Sequence, residues 1–307
     1  MKHPLVICAI LLSLAPITSK ALDLTGSGSS TNYKITPSLD DSNLLRLEIE
    51  IPNTKKTVSA YFELGDGGII PGYFPGEFTL YTEYHTRSPL ISSYTFRWNP
   101  ELQDWIAYRA STWEEPYRDE KYTLNKEQIP DDLKLPQNFD TRRIKCCAKL
   151  SEFTESSSPN IEPETHDKEL KNIEDDLKKI STALAKNKGK SIFYQNIGGE
   201  PTKKIVPPDL SHELSKIVSI KNLVELNNFA YLLQKNDDDI SAAIILQSIH
   251  KKHPERVVAT LNLADSYWKL NMKSSACQLY AKYIASMKAS GKQDKIPKTA
   301  FDRATCN

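Results

Sequence analysis

The sequence has no long hydrophobic run beyond its first residues. No later stretch of the 307 residues approaches the ~20 apolar residues that a membrane-crossing helix needs, so no membrane span is expected. It also lacks an excess of either charge: 40 Lys and Arg stand against 39 Asp and Glu. A chain so balanced has no overall field to concentrate polyanions, and nucleic acid is not expected as a partner. Cysteine is scarce, five residues in all, with no Cys-x-x-Cys pair or nearby histidine pair to hold zinc. No Asn-x-Ser/Thr acceptor occurs, which fits a bacterial periplasm better than a eukaryotic secretory route.

Signals for chemistry are missing too. Gly65-Asp66-Gly67-Gly68 lacks the lysine, the hydroxyl residue and the following helix of a phosphate cradle, and reads as a tight hairpin. Asp237-Asp238-Asp239 lacks the glycine and distal glutamate of a calcium loop and reads as a helix cap. His250 and His253 have two lysines between them and no third ligand. His85 lies near Glu83, Glu114 and Asp119, but no nucleophile accompanies it. We therefore expect no catalytic residue, no metal and no cofactor, and the chain reads as a non-enzyme.

The start of the chain carries a positive signal. Met1-Lys2-His3 is a short cationic leader, Pro4 to Thr18 is almost wholly apolar, and Ser19-Lys20-Ala21 is a small-x-small site. This is the pattern of a secretory signal peptide over residues 1–21, with cleavage near Ala21 and a periplasmic or secreted product. Removing it takes Lys2 and Lys20 and leaves 38 basic against 39 acidic residues. Four cysteines then remain: Cys146, Cys147, Cys277 and Cys306. An even number in an oxidising compartment allows two disulfides. Joining neighbouring Cys146 and Cys147 would strain the ring, so each is expected to reach Cys277 or Cys306; the alternative keeps Cys277 as a small core residue of a helix.

The organisation reads as α+β. Residues 22–30 are polar and glycine-rich and are expected to be unstructured. Over 31–150 the period is two: 45–51 alternates cleanly, and 58–64, 78–84, 93–98 and 105–113 are rich in aromatic and β-branched residues, with turn signals between them. These predict an antiparallel β-rich domain, a meander or a small barrel or sandwich, with a hairpin at Asn99 to Asp104. Residues 114–145 are charged and proline-dotted and are expected to wrap around the sheet.

The stretch 151–208 reads as a linker holding an amphipathic helix at about 165–187. Leu170, Ile173, Leu177, Ile180 and Leu184 form a narrow seam, which suits a connector packed on one domain or a homodimer contact. The chain after Gly189 reads as irregular as far as Pro207-Pro208.

The C-terminal region, 209–307, repeats itself. Laying 223–256 over 257–290 gives a period of 34 residues, with Ala230 on Ala264 and Ala242 on Ala276. Each copy is two helices around a polar turn. Helices expected at Asp209 to Ile220, with Ser211 as cap, and at Lys298 to Thr305 would cover the two ends.

The small residues at fixed spacing, the aromatics at Tyr267, Trp268 and Tyr280, and the closing Pro254 resemble the tetratricopeptide repeat, most strongly at Asn262 to Trp268. The resemblance covers about 70 residues and leaves the β-rich half unassigned. It implies a concave face lined by the first helices, made here of Asn227, Tyr231, Gln234, Leu261, Asn262, Asp265, Trp268 and Lys269. Such a face binds extended or helical protein segments. The expectation is an exported interaction protein that neutralises an envelope-acting toxin or serves as an envelope adaptor. A rival reading places a hydrolytic or sugar-binding site in the β-rich half around His85, Glu114, Glu115, Trp98, Trp105 and Trp113.

Overall fold

The computed structural model describes residues 17–18, 23–27, 31–38, 44–51, 53–63, 66–72, 74–84, 90–114, 135–145, 148–153, 162–186, 194–197, 200–203 and 208–305. Apart from Ile17 and Thr18, the expected leader lies outside these residues, as do His85, Glu115, Asp119, Cys146, Cys147 and Cys306.

Alternating apolar residues build two antiparallel sheets. The first runs in the order β1 (Ile17–Thr18), β2 (Tyr33–Pro37), β3 (Leu44–Glu50), β4 (Thr57–Glu63). The second runs β5 (Asp66–Pro71), β6 (Glu77–Tyr84), β7 (Leu90–Asn99), β8 (Asp104–Glu114), β9 (Gln137–Arg143). Leu47, Ile49, Ala60 and Phe62 of the first sheet share one core with Phe78, Leu80, Phe96, Trp105 and Ala107 of the second, so the two sheets form a sandwich. Phe153, after a short 3-10 turn at Leu150–Glu152, plugs this core between Phe62, Tyr94 and Phe96.

Four expectations change here. Asp66 to Gly68 is not a turn but the start of β5, paired with Glu83 to Tyr81; a Cβ on Gly68 would lie 2.8 Å from the Tyr81 hydroxyl, so glycine lets that ring lie flat on the strand. Residues 137–143 form a fifth strand instead of wrapping around the sheet. Residues 23–27 are structured: Leu24 is buried and its carbonyl accepts the Trp105 indole N–H at 2.6 Å, the partner a buried tryptophan needs. The stretch after Gly189 holds a small hairpin, β10 (Tyr194–Ile197) with β11 (Glu200–Lys203).

Among the described residues seven α-helices follow: α1 (His166–Lys186), α2 (Pro208–Lys216), α3 (Leu223–Lys235), α4 (Asp239–Lys252), α5 (Val257–Lys269), α6 (Lys273–Ala289) and α7 (Lys298–Ala304). Pro208 opens α2, where a missing N–H costs nothing, and Ser211 lies buried inside the helix and not at its cap. Asp238 caps α4, accepting the Ser241 amide at 3.1 Å. Ile173, Leu177 and Ile180 of α1 are buried in the core of the helical half. Leu170, partly buried, packs against the same core, so these four residues of the α1 seam lie against the chain's own helices.

The face of the second sheet turned away from the sandwich core carries buried polar residues, Thr79, Thr95, Arg109 and Arg143 among them. Register places Thr79, Thr95, Arg109 and Arg143 in one row across β6 to β9. A bulge between Thr95 and Phe96 leaves Tyr108 as the extra residue of β8, which locally re-aims the side chains. The Tyr108 ring lies 3.9 Å from the Arg97 guanidinium carbon, 5.1 Å from that of Arg143 and 5.5 Å from that of Arg109.

Carboxylates from α1 and α2 meet these arginines. Arg143 donates to Glu213 at 2.7 and 2.8 Å and pairs with Asp176 at 2.9 Å. Arg109 donates to Glu213 at 3.1 Å and to the Thr95 hydroxyl at 3.1 Å; its Nε stands 3.0 Å from Asp209 as a charge contact without hydrogen-bond alignment. Arg97 joins Glu77 at 3.1 Å to Asp176 at 3.2 Å. With Lys179 on Asp176 at 3.2 Å, four cations face the four acids Glu77, Asp176, Asp209 and Glu213.

Burial opposes ionisation of Asp176, but Arg97, Arg143 and Lys179 outweigh it and hold the carboxyl below the usual value. Burial likewise works against the Arg97 charge, yet Tyr108, Glu77 and Asp176 raise it above the ordinary arginine value. Removing one member of such a set strands a buried charge, at a cost of about 3–5 kcal/mol. This seam fixes the helices on the sheet.

Candidate partner-binding groove

Helices α3 and α5 are each 13 residues long, and their first residues, Leu223 and Val257, are one 34-residue period apart. The small residues Ala230, Ala242, Ala264 and Ala276 are all fully buried, where they let neighbouring helices approach closely.

The eight residues expected on the concave face divide by environment. Asn227, Gln234 and Asn262 are buried. Gln234 donates to the Asn262 carbonyl at 2.6 Å and to the Ser266 hydroxyl at 2.7 Å, while Asn262 donates to Asn227 at 3.4 Å. These amides tie α3 to α5 inside the bundle. A buried amide without a partner costs about 1–3 kcal/mol, so such residues turn inward only where a partner waits. Leu261 is half-buried against the helical core.

Tyr231 stays open, 45% exposed, with Lys235 5.2 Å over its ring. Lys269 spans the turn between α3 and α4, 3.2 Å from Asp239 and 3.7 Å from Asp237. Asp265 accepts from the Tyr280 hydroxyl at 2.6 Å and from Arg303 at 2.9 Å. Burial, and after it that hydrogen bond, raises the Tyr280 phenol above its ordinary value. Trp268 packs edge-on to Tyr280 at 6.3 Å, with Lys273 3.6 Å and Arg303 5.1 Å from its ring centre.

Several residues of this face were not singled out from the sequence. Val224 and Val258 occupy equivalent positions one repeat apart and are 51% and 53% exposed. Ile220, just before α3, is also exposed. The signal was present, since the same 34-residue overlay that pairs the alanines also pairs these valines. Arg303 carried no such signal, because it reaches Trp268 only when α7 folds back over α6.

The tryptophans of the rival site do not form an exposed strip. Trp105 is buried in the sandwich core, tilted against Trp98 at 4.6 Å. Trp113 is buried beyond the opposite face, stacked on Phe139 at 6.2 Å. Glu114 ends β8. Among the described residues no group of three or more His, Cys, Asp or Glu could hold a metal ion, and no helix is long and apolar enough to cross a membrane. Cys277 is disulfide-bonded, to a partner outside the described residues. No family model matches the chain, and no curated protein matches it.

Proposed function

We propose that the helical half is a protein-binding module whose face on α3 and α5 takes an extended or helical segment of a partner. The observation that carries this reading is the pair Val224 and Val258, exposed aliphatic residues one repeat apart. Their helices are held together by the buried Gln234–Asn262–Asn227 bridge. Exposed apolar area on a pre-organised surface loses little entropy on binding and gains the hydrophobic term. Tyr231 and Trp268 add aromatic area with polar edges, the residue types that anchor interfaces. The resemblance of residues 223–290 to tetratricopeptide repeats supports the same reading, and the leader-like start supports its use outside the cytoplasm. Neutralising an envelope-acting toxin and serving as an envelope adaptor are the two roles that suit such a module.

The test is the double variant Val224→Asp/Val258→Asp, measured for partner binding and for thermal unfolding. The reading expects binding to fall by at least about a hundredfold, two lost apolar contacts of 1.5 kcal/mol or more, with an unchanged melting temperature. Binding that survives in the folded variant overturns it.

A further inference from the structure

Where α1 meets the second sheet, the joint is not completely filled. A cavity of about 180 Å³ lies between β7, β8 and β9 on one side and α1 on the other. That is room for about six waters at roughly 30 Å³ each, and less than the ~300–1,000 Å³ of a drug-sized site. It suits a small polar molecule, and its two walls differ in what they offer.

The sheet wall offers donors. Arg97 spends Nε on Glu77 and Nη2 on Asp176. Arg143 spends Nε on Glu213 and Nη2 on Glu213 and Asp176. Each leaves Nη1 without a hydrogen bond among the described residues. Both guanidiniums flank the Tyr108 ring, at 3.9 and 5.1 Å. The Tyr108 hydroxyl is buried and has no hydrogen-bond partner, a costly state for an O–H group that nothing reaches. Burial raises this phenol above its ordinary value, so it remains a donor throughout the neutral range.

The helix wall offers acceptors. Asn172 gives its amide N–H to Glu164 at 2.6 Å, and its Oδ1 accepts no hydrogen bond among the described residues. Asp175 is exposed and makes no ion pair among them. Asp176, by contrast, is fully engaged by Arg97, Arg143 and Lys179. The charges of the seam are thus matched one against another, and no net field selects a bare anion or a bare cation. What is left over is a set of donors facing a set of acceptors.

The geometry points to a site for a small zwitterion, a free α-amino acid, with its carboxylate on the Tyr108 hydroxyl and the two Nη1 groups and its ammonium toward Asp175 and Asn172. Guanidinium N–H groups match carboxylate oxygens, and an ammonium brings the three donors that the helix wall lacks. The bound molecule joins α1 to the sheet and tightens the joint. This site is separate from the α3–α5 face and stands whether or not that face binds a partner.

The common L-amino acids, added one at a time to the full chain, test it by NMR at the Ile144 methyls, which line the cavity, and by melting temperature. The tightest binder is then compared with its N-acetyl and carboxamide derivatives and with glucose. At least one amino acid should shift the Ile144 methyls and raise the melting temperature by about 4 °C at a hundredfold excess over its Kd. Blocking either end should weaken binding about tenfold or more, as loss of a charge-assisted hydrogen bond does. Tyr108→Phe should also weaken it about tenfold without lowering the melting temperature of the free chain, because the hydroxyl it removes has no partner there. Asp175→Asn, at an exposed position, should weaken it about threefold.

No shift with any amino acid overturns the site. Equal binding of a blocked derivative or of glucose overturns the zwitterion. Undiminished binding by Tyr108→Phe overturns the place given to the carboxylate, and by Asp175→Asn the place given to the ammonium. Should Tyr108→Phe fail to fold, the blocked derivatives and Asp175→Asn decide alone.

Discussion

The helical half presents two polar surfaces, and they use the same residue types in opposite ways. Toward the sheet, Asp176, Asp209 and Glu213 are buried and met by Arg97, Arg109 and Arg143. Away from it, Lys235, Lys273 and Arg303 lie over Tyr231 and Trp268 at the surface, and Lys273 has no acid among the described residues. A buried charge must be paired or it is expelled, so the charges of the first surface are closed on one another and serve to join the halves. An exposed charge faces no such demand, and an aromatic ring beside an unneutralised cation remains open to a ligand. Completeness of pairing, not residue type, separates the joint from the candidate site.

Breaking the joint should have the largest effect. Glu213 serves both Arg109 and Arg143, so Glu213→Gln should cost about 3–5 kcal/mol, seen as a lower midpoint in urea denaturation; a loss under 1 kcal/mol would show that the pairs are not coupled as described. Gln234→Ala removes the bridge between α3 and α5 and should cost about 1–3 kcal/mol, and hydrogen exchange should rise in α3 and α5 before it rises in the sandwich.

Acid should weaken the joint in two stages. Burial, helped by the Lys216 charge, lowers His212 below its usual value; this ring stacks on Phe139 at 4.6 Å. A depressed histidine contributes stability that is complete above its unfolded value of about 6.5 and lost as pH falls toward its folded value. Asp176, also depressed, contributes stability that is complete above about 3.9 and lost as pH falls further. Melting temperature should therefore decline modestly as pH drops below about 6.5 and more steeply below about 4, and His212→Gln should flatten only the first slope. The smallest stability effect belongs to the groove: Val224→Asp and Val258→Asp should each stay within about 0.5 kcal/mol of the parent.

The legible parts of the fold were those that obey simple periods. Strands β3, β4, β6, β7 and β8 alternate apolar and polar residues and are bounded by turn residues, and they form close to where the pattern places them. Strand β9, QNFDTRR, was missed because its buried residues are Thr141 and Arg143. A rule that equates burial with apolar character fails on a polar buried face. For the same reason Asp176 read as one more polar residue of α1, although it lies at 3–4 spacing among Ile173, Leu177 and Ile180 and is as buried as they are.

At the candidate site the 34-residue spacing marks a set of α3 and α5 positions but not which amides turn inward. Asn227 is buried and Asn228 beside it is exposed; only the neighbouring α5 decides between them. The Lys273–Trp268–Arg303 cluster needs α7 folded back across the last hairpin, a long-range contact with no period to announce it.

The central claim is that the α3–α5 face binds a protein segment. A photo-reactive residue installed at Val258, and in a control at Lys251 on the exposed side of α4, tests it most directly when the protein is irradiated in the compartment where it resides. The account predicts one dominant crosslinked partner from position 258, lost on adding Val224→Asp, and none from position 251. Equal crosslinking from both positions, or crosslinking from 258 that Val224→Asp leaves unchanged, would contradict it.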